Sequence, residues 1–125
     1  LEEIILLAHG QVCAENYQLT YYEFLFFVFC HWAIRKNPYY LFLEVGLGGR
    51  LDAVNTLDAQ LVLLTSISRD HQEYLGNRFD LILKEKLGVL RPGATLICYL
   101  ESRYLRERSE QFARSLGAQF WDLNN

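Results

Sequence analysis

Methionine is missing from all 125 residues, the first included. The opening residues already carry a helical pattern, with Leu1, Ile4, Ile5, Ala8 and Val12 on one face, so the expectation is a piece of a longer protein. Basic excess is missing too: 12 Lys and Arg against 15 Asp and Glu leave a net charge of −3, which excludes the electrostatic footprint of a nucleic-acid binder. No apolar run reaches bilayer length. The longest, residues 24–33, contains His31, and no charged-then-apolar leader opens the chain, so neither a membrane span nor a secretory signal is expected. A cytoplasmic protein, or one of an organelle matrix, is the expectation. Cysteine is scarce: Cys13, Cys30 and Cys98 are odd in number, widely spaced and in apolar surroundings, which favours reduced core thiols over disulfides or a metal-binding pair. There is no internal repeat, low-complexity tract or linker. With 51% hydrophobic residues, a chain of this length can bury one core.

The elements alternate. Thr20 and Glu23 form a capping box for a helix from Tyr21 to about Lys36, stopped by Asn37-Pro38. Residues 39–45 are almost continuously apolar and β-branched or aromatic, and read as a strand covered on both faces. A second strand is expected near residues 61–65, then a helix capped by Asn77 that reaches Lys86 and ends at Gly88. Arg91-Pro92-Gly93 turns into a third strand over 95–99, Ser102 caps a helix closed by Gly117, and residues 119–122 start a fourth strand. Strands alternating with helices predict an α/β fold with a parallel sheet flanked by helices.

The residues that carry chemistry follow the first of these strands. Glu44-Val45-Gly46-Leu47-Gly48-Gly49-Arg50-Leu51-Asp52-Ala53 drives a carboxylate, read as buried, out of an apolar strand into a glycine-rich, ionisable loop. Burying an ionised carboxylate costs several kcal/mol unless a cation or donor set compensates it, so Glu44 calls for a metal, an arginine or a ligand. Parallel sheets bind ligands beyond the carboxyl ends of their strands, where Glu44 and then His71 are expected, and a turn can bring Lys86 to the same edge. A carboxylate, an imidazole and an ammonium make an odd metal site, because the ammonium has no lone pair to offer. Each residue alone has a blander reading: Thr20 and Glu23 as a cap, Tyr21 and Tyr22 as packing, Glu44 as a solvated strand end, His71 as a partner of Asp70, Lys86 as surface charge. His9 and His31 read as structural. Two rival motifs fail. Leu51 occupies the third glycine's place in a dinucleotide fingerprint that would begin at Gly46 and Gly48; in the stretch 88–95, Ala94 stands where a phosphate loop needs lysine, and Pro92 removes a backbone donor.

The run from Glu44 to Asn55 resembles the folylpolyglutamate synthase and dihydrofolate synthase family of ATP-dependent amide ligases, relatives of the Mur peptidoglycan ligases. Further pieces agree in order and spacing: Thr20-Tyr21-Tyr22-Glu23, then Thr65-Ser66-Ile67, Asp70-His71, Leu75-Gly76, Glu85-Lys86-Leu87-Gly88 and Arg91-Pro92-Gly93. Local departures are Val54 for the usual Thr, Arg69 where a small or apolar residue usually precedes Asp70, and Leu87 for the usual Ala after the lysine. The resemblance implies part of the ATP-binding, P-loop-type (Mur ligase central) domain, with the phosphate-loop segment upstream and a carboxyl-terminal domain downstream. It further implies Mg2+ held by Glu44, His71 and Lys86, the lysine carbamylated so that its cation becomes an anionic oxygen ligand. These three would be the catalytic group. Thr20, Tyr21, Tyr22, Glu23, Leu51, Asp52 and Ala53 match positions that line the pterin end of the substrate pocket. ATP would phosphorylate a carboxylate of folate or dihydropteroate, and the amino group of glutamate would attack the acyl phosphate, with no side-chain nucleophile. The implied parent is a monomer and binds neither nucleic acid nor membrane. A Mur-type ligase of cell-wall precursors and a noncatalytic folate-binding relative are the alternatives; the first should lack the Gly-Leu-Gly-Gly-Arg-Leu-Asp-Ala loop, and the second would differ in the segment upstream.

Overall fold

The computed structural model describes residues 1–67 and 79–124. It divides into two compact units, Leu1–Glu44 and Val45–Asn125.

The first unit is a helical hairpin. Helix α1 (Glu2–Ala14) buries Ile4 and Ala8 against Val28 of α2 (Tyr21–Lys36), with Phe24 and Phe27 packed alongside. An ion pair between Arg35, near the end of α2, and Glu3, near the start of α1, spans 3.2 Å and marks the two helices as antiparallel. Both ends of α2 have a chemical cause. At its start the Thr20 hydroxyl accepts from the Glu23 amide at 3.3 Å, and the Glu23 carboxylate accepts from the Thr20 amide at 2.7 Å. At its end Asn37 takes a left-handed conformation, φ 46°, and donates its amide to the Ala33 carbonyl, which stops the helix before Pro38.

Residues 39–45 correct the sequence reading. They form no strand, and Tyr39, Tyr40 and Phe42 are 90%, 72% and 87% exposed. A strand is made by a neighbouring backbone that takes its N–H and C=O groups, and apolar content does not supply that neighbour.

The second unit holds a three-stranded parallel sheet in the order β1 (Leu61–Leu64), β2 (Thr95–Cys98), β3 (Gln119–Asp122). Leu61 pairs with Thr95, and Thr95 with Gln119. The helices α3 (Phe79–Leu87) and α4 (Arg103–Leu116) pack on each other and cover one face of the sheet. Leu64, Leu83, Leu87, Leu90, Leu96, Cys98, Leu105 and Ala113 meet there as one core. The opposite face carries the in-register row Leu63, Ile97 and Trp121, of which Leu63 and Trp121 are exposed. The expected parallel α/β sheet flanked by helices is therefore present, with three described strands where four were expected. The N-cap assigned to Asn77 lies outside the described residues. Ser102 caps α4 by accepting from the Leu105 amide, and Gly117 closes it in the left-handed conformation, φ 75°. Among the described residues no helix is long and apolar enough to cross a membrane. All three cysteines are free, but only Cys98 is a buried core thiol; Cys30 is half-buried and Cys13 is exposed, 3.8 Å from the His9 ring.

Candidate functional site

The glycine-rich loop is a folded object with its own internal anchor. Both oxygens of Asp52 are used: one accepts from the Gly46 and Leu47 amides at 3.0 and 2.9 Å, the other from the Val54 amide at 3.0 Å. The last of these caps a short 3-10 turn, Ala53–Thr56, and buries Val54 beneath it. Asp52 thus holds the loop in a closed shape, whatever else its carboxylate meets.

Two glycines then let this loop lie directly on the end of α3. Gly49 has φ 150°, and a Cβ there would stand 2.8 Å from the Glu85 carbonyl oxygen and 3.2 Å from the Lys86 Cα. A Cβ on Gly88 would fall 2.4 Å from the Arg50 Cβ. With both side chains absent, the Arg50 amide donates to the Glu85 carbonyl at 2.9 Å and the Arg50 guanidinium meets the Glu85 carboxylate at 2.9 Å. Lys86 is therefore half-buried in the last turn of α3, its backbone pressed against Gly49. Its neighbour Leu87 turns into the core, 1% exposed, so the bulk that replaces alanine there is absorbed away from the lysine.

A second set of contacts was not foreseen from the residues. Arg91 donates through Nη2 to both the carbonyl and the side-chain oxygen of Asn55, each at 2.9 Å, through Nη1 to the Gly88 carbonyl at 3.2 Å, and through Nε to Asp58 at 2.7 Å. Asn55 in turn donates to the Arg50 carbonyl at 2.7 Å. Both residues stand inside the recognised motifs, yet an amide and an arginine in a loop and a turn carry no sequence mark of having each other as partners.

The other sequence candidates are placed as follows. Glu44 is exposed, which corrects its reading as a buried carboxylate: the strand that was to bury it does not form. His71 lies outside the described residues, as do Arg69 and Asp70. Thr20 and Glu23 are engaged with each other, the hydroxyl also donating to the carboxylate at 2.7 Å, and this bond from Thr20 is the main cause that holds the Glu23 carboxyl below its ordinary range. Tyr21 and Tyr22 are 78% and 44% exposed at the start of α2, and Leu51 is 80% exposed. A cavity of about 710 Å³ opens beyond the carboxyl ends of β1 and β2, where Thr65, Ser66, Tyr99, Glu101 and Ser102 line it beside the Tyr104–Asp80 hydrogen bond. Lys86 is not part of that lining. The rejected phosphate-loop reading of residues 88–95 is also settled locally, since the amides of Leu90, Gly93 and Ala94 already donate to Leu87, Gly117 and Arg91 carbonyls. Among the described residues no three His, Cys, Asp or Glu side chains cluster closely enough to hold a metal.

A parallel sheet with helices packed on it defines an α/β domain, and the solved structures that share this fold bear out the expected Mur-ligase type. No family model matches the chain. Individual proteins do. The dihydrofolate synthase/folylpolyglutamate synthase of Haemophilus influenzae is 40% identical over 79 residues, 63% of this chain and 18% of that protein. The dihydrofolate synthetase of Saccharomyces cerevisiae is 38% identical over 96 residues, 73% of this chain and 21% of its own. The structure of the bifunctional folylpolyglutamate synthase/dihydrofolate synthase of Yersinia pestis, complexed with AMPPNP and Mn ion, superposes with a TM-score of 0.78 at 32% identity, covering 98% of this chain and 30% of that one. In sequence and in fold the chain thus matches a segment of the folylpolyglutamate synthase/dihydrofolate synthase family, and it spans less than a third of the length of these relatives.

Proposed function

We propose that the chain supplies part of the ATP-binding domain of an amide ligase that joins glutamate to folate or dihydropteroate. The observation that carries this reading is the packing of the 46–55 loop onto the Lys86 turn, because it joins two of the matched motifs, far apart in sequence, into one structure. In the reaction, the γ-phosphoryl group of ATP passes to the substrate carboxylate, with ADP as leaving group. The glutamate amine then attacks the acyl carbon, an amide forms, and phosphate and a proton are released. The proposed parts of this chain in that work are binding and positioning. Tyr21 and Tyr22, exposed beside the Thr20–Glu23 pair, suit a flat heterocycle with amide-like donors. In the second unit, Leu51, Asp52 and Ala53 are proposed as substrate-binding residues on the strength of the matched motif.

A divalent cation fits the proposed donors only in one chemical form. Glu44 offers a carboxylate and His71 an imidazole, while Lys86 as an ammonium offers no lone pair; converted to a carbamate it presents an anionic oxygen. When bound, Mg2+ would supply positive charge against the transferring phosphoryl group.

Lys86 is where the test falls. In a full-length ligase carrying this segment, Lys86→Ala should lose activity that short carboxylic acids partly restore by replacing the missing oxygen, whereas Lys84→Ala should keep it. Equal loss in both variants, or no rescue across a range of acids, would leave a plain electrostatic lysine instead.

A further inference from the structure

Arg91 sits on the turn into β2, outside every role proposed so far, and its guanidinium is spent on three separate pieces of chain. It reaches Asn55 at the end of the glycine loop, the Gly88 carbonyl just past α3, and Asp58 in the approach to β1. Asn55 closes the circuit by donating back to the Arg50 carbonyl and, at 3.4 Å, to the same Gly88 carbonyl. Gly49 and Gly88 permit the loop to touch the Lys86 turn, but a bare glycine contact has no hold of its own. The hold comes from directed bonds, and a planar guanidinium can make several at once in fixed directions, which an ammonium on a flexible stem cannot.

We propose that Arg91 and Asn55 are positioning residues: their hydrogen bonds lock the 46–55 loop to the last turn of α3 and thereby fix the backbone that presents Lys86. The lock itself rests on the geometry of the second unit; its consequence for turnover rests on the ligase reading above.

Two measurements separate these. Hydrogen exchange on the 125-residue chain reads the lock directly, through the Arg50 amide, whose acceptor is the Glu85 carbonyl. Asn55→Ala and Arg91→Lys should each speed exchange of that amide by about ten-fold, while β2 amides keep their protection. Arg91→Lys keeps the charge beside Asp58 and loses the fork, so it stays informative if Arg91→Ala fails to fold. Unchanged exchange at Arg50, or an equal rise in β2, would overturn the lock by making both residues inert or merely stabilising. In a full-length ligase with this segment, the same variants should lower kcat about ten-fold with little change in the KM for ATP. If exchange rises as stated and kcat does not fall, the lock stands and the part given to Lys86 in the ligase reading falls.

Discussion

Gly88 and Gly93 show how differently two glycines five positions apart, both just past the end of α3, can matter. A Cβ on Gly88 has no room, being placed 2.4 Å from the Arg50 Cβ, whereas one on Gly93 meets nothing within 4 Å and suffers only from φ 80°. Gly88→Ala should therefore cost about 3 kcal/mol through overpacking, and Gly93→Ala about 1 kcal/mol through its backbone alone. Urea midpoints of the two variants decide the matter, and equal shifts would mean that the loop does not sit on the Gly88 turn. Glu23 gives a prediction in pH. Its carboxyl is held below the ordinary range, chiefly by the Thr20 hydroxyl and then by the Thr20 amide. A depressed pKa in the folded state means a contribution to helix α2 that is present above the ordinary glutamate value and lost as pH falls through the lowered one. Helicity followed by circular dichroism should thus decline in acid in the native chain, and Glu23→Gln should remove that part of the decline.

Among elements, the ends of α2 were legible because their chemistry is local: Thr20, Glu23 and Asn37 lie within a few residues of the groups they satisfy. The same holds for α4, between Ser102 and Gly117. Residues 39–45 misled for the opposite reason. Their pattern reports what a strand would bury, while a strand's existence depends on a partner that no local pattern names. The loop-to-helix contact was half visible, in that the Gly48-Gly49-Arg50 and Lys86-Leu87-Gly88 runs were both marked as special and Lys86 was expected at the sheet edge that Glu44 reaches, while the direct packing of Gly49 and Arg50 on the end of α3 was not. Long-range polar partners were illegible altogether. Arg106 is such a case: from α4 it donates to the Leu100 and Glu101 carbonyls at 2.7 and 2.8 Å and pairs with Asp122 of β3 at 3.0 Å. Arg106→Ala removes both carbonyl bonds and the ion pair at once, leaving the Leu100 carbonyl only the Asn124 side-chain amide at 3.1 Å, so it should destabilise the second unit by about 2 kcal/mol. Asp122→Asn should cost less, since the carbonyl bonds survive; thermal unfolding that ranks the two the other way would make the ion pair the dominant bond.

At the scale of the molecule, a chain that spans less than a third of its relatives' length should form no glutamylated product by itself from ATP, Mg2+, glutamate and a reduced folate. Product that tracks the purified chain would overturn the view that ligation needs more than these residues. The side of the sheet that carries Leu63, Ile97 and Trp121 has a consequence of another kind. Parallel sheets are ordinarily sheathed on both sides, yet Leu63 and Trp121 are each 59% exposed on either side of Ile97. Such a surface governs colloidal behaviour: in dilute solution it wets, and as concentration climbs it should scatter light and bind hydrophobic dyes. Trp121 is its own reporter, one of two tryptophans in the chain, with an emission that should shift to the blue as molecules crowd together. Trp121→Lys should raise the concentration at which turbidity begins while leaving the melting temperature nearly unmoved, because Trp121 is not among the described residues that pack the core.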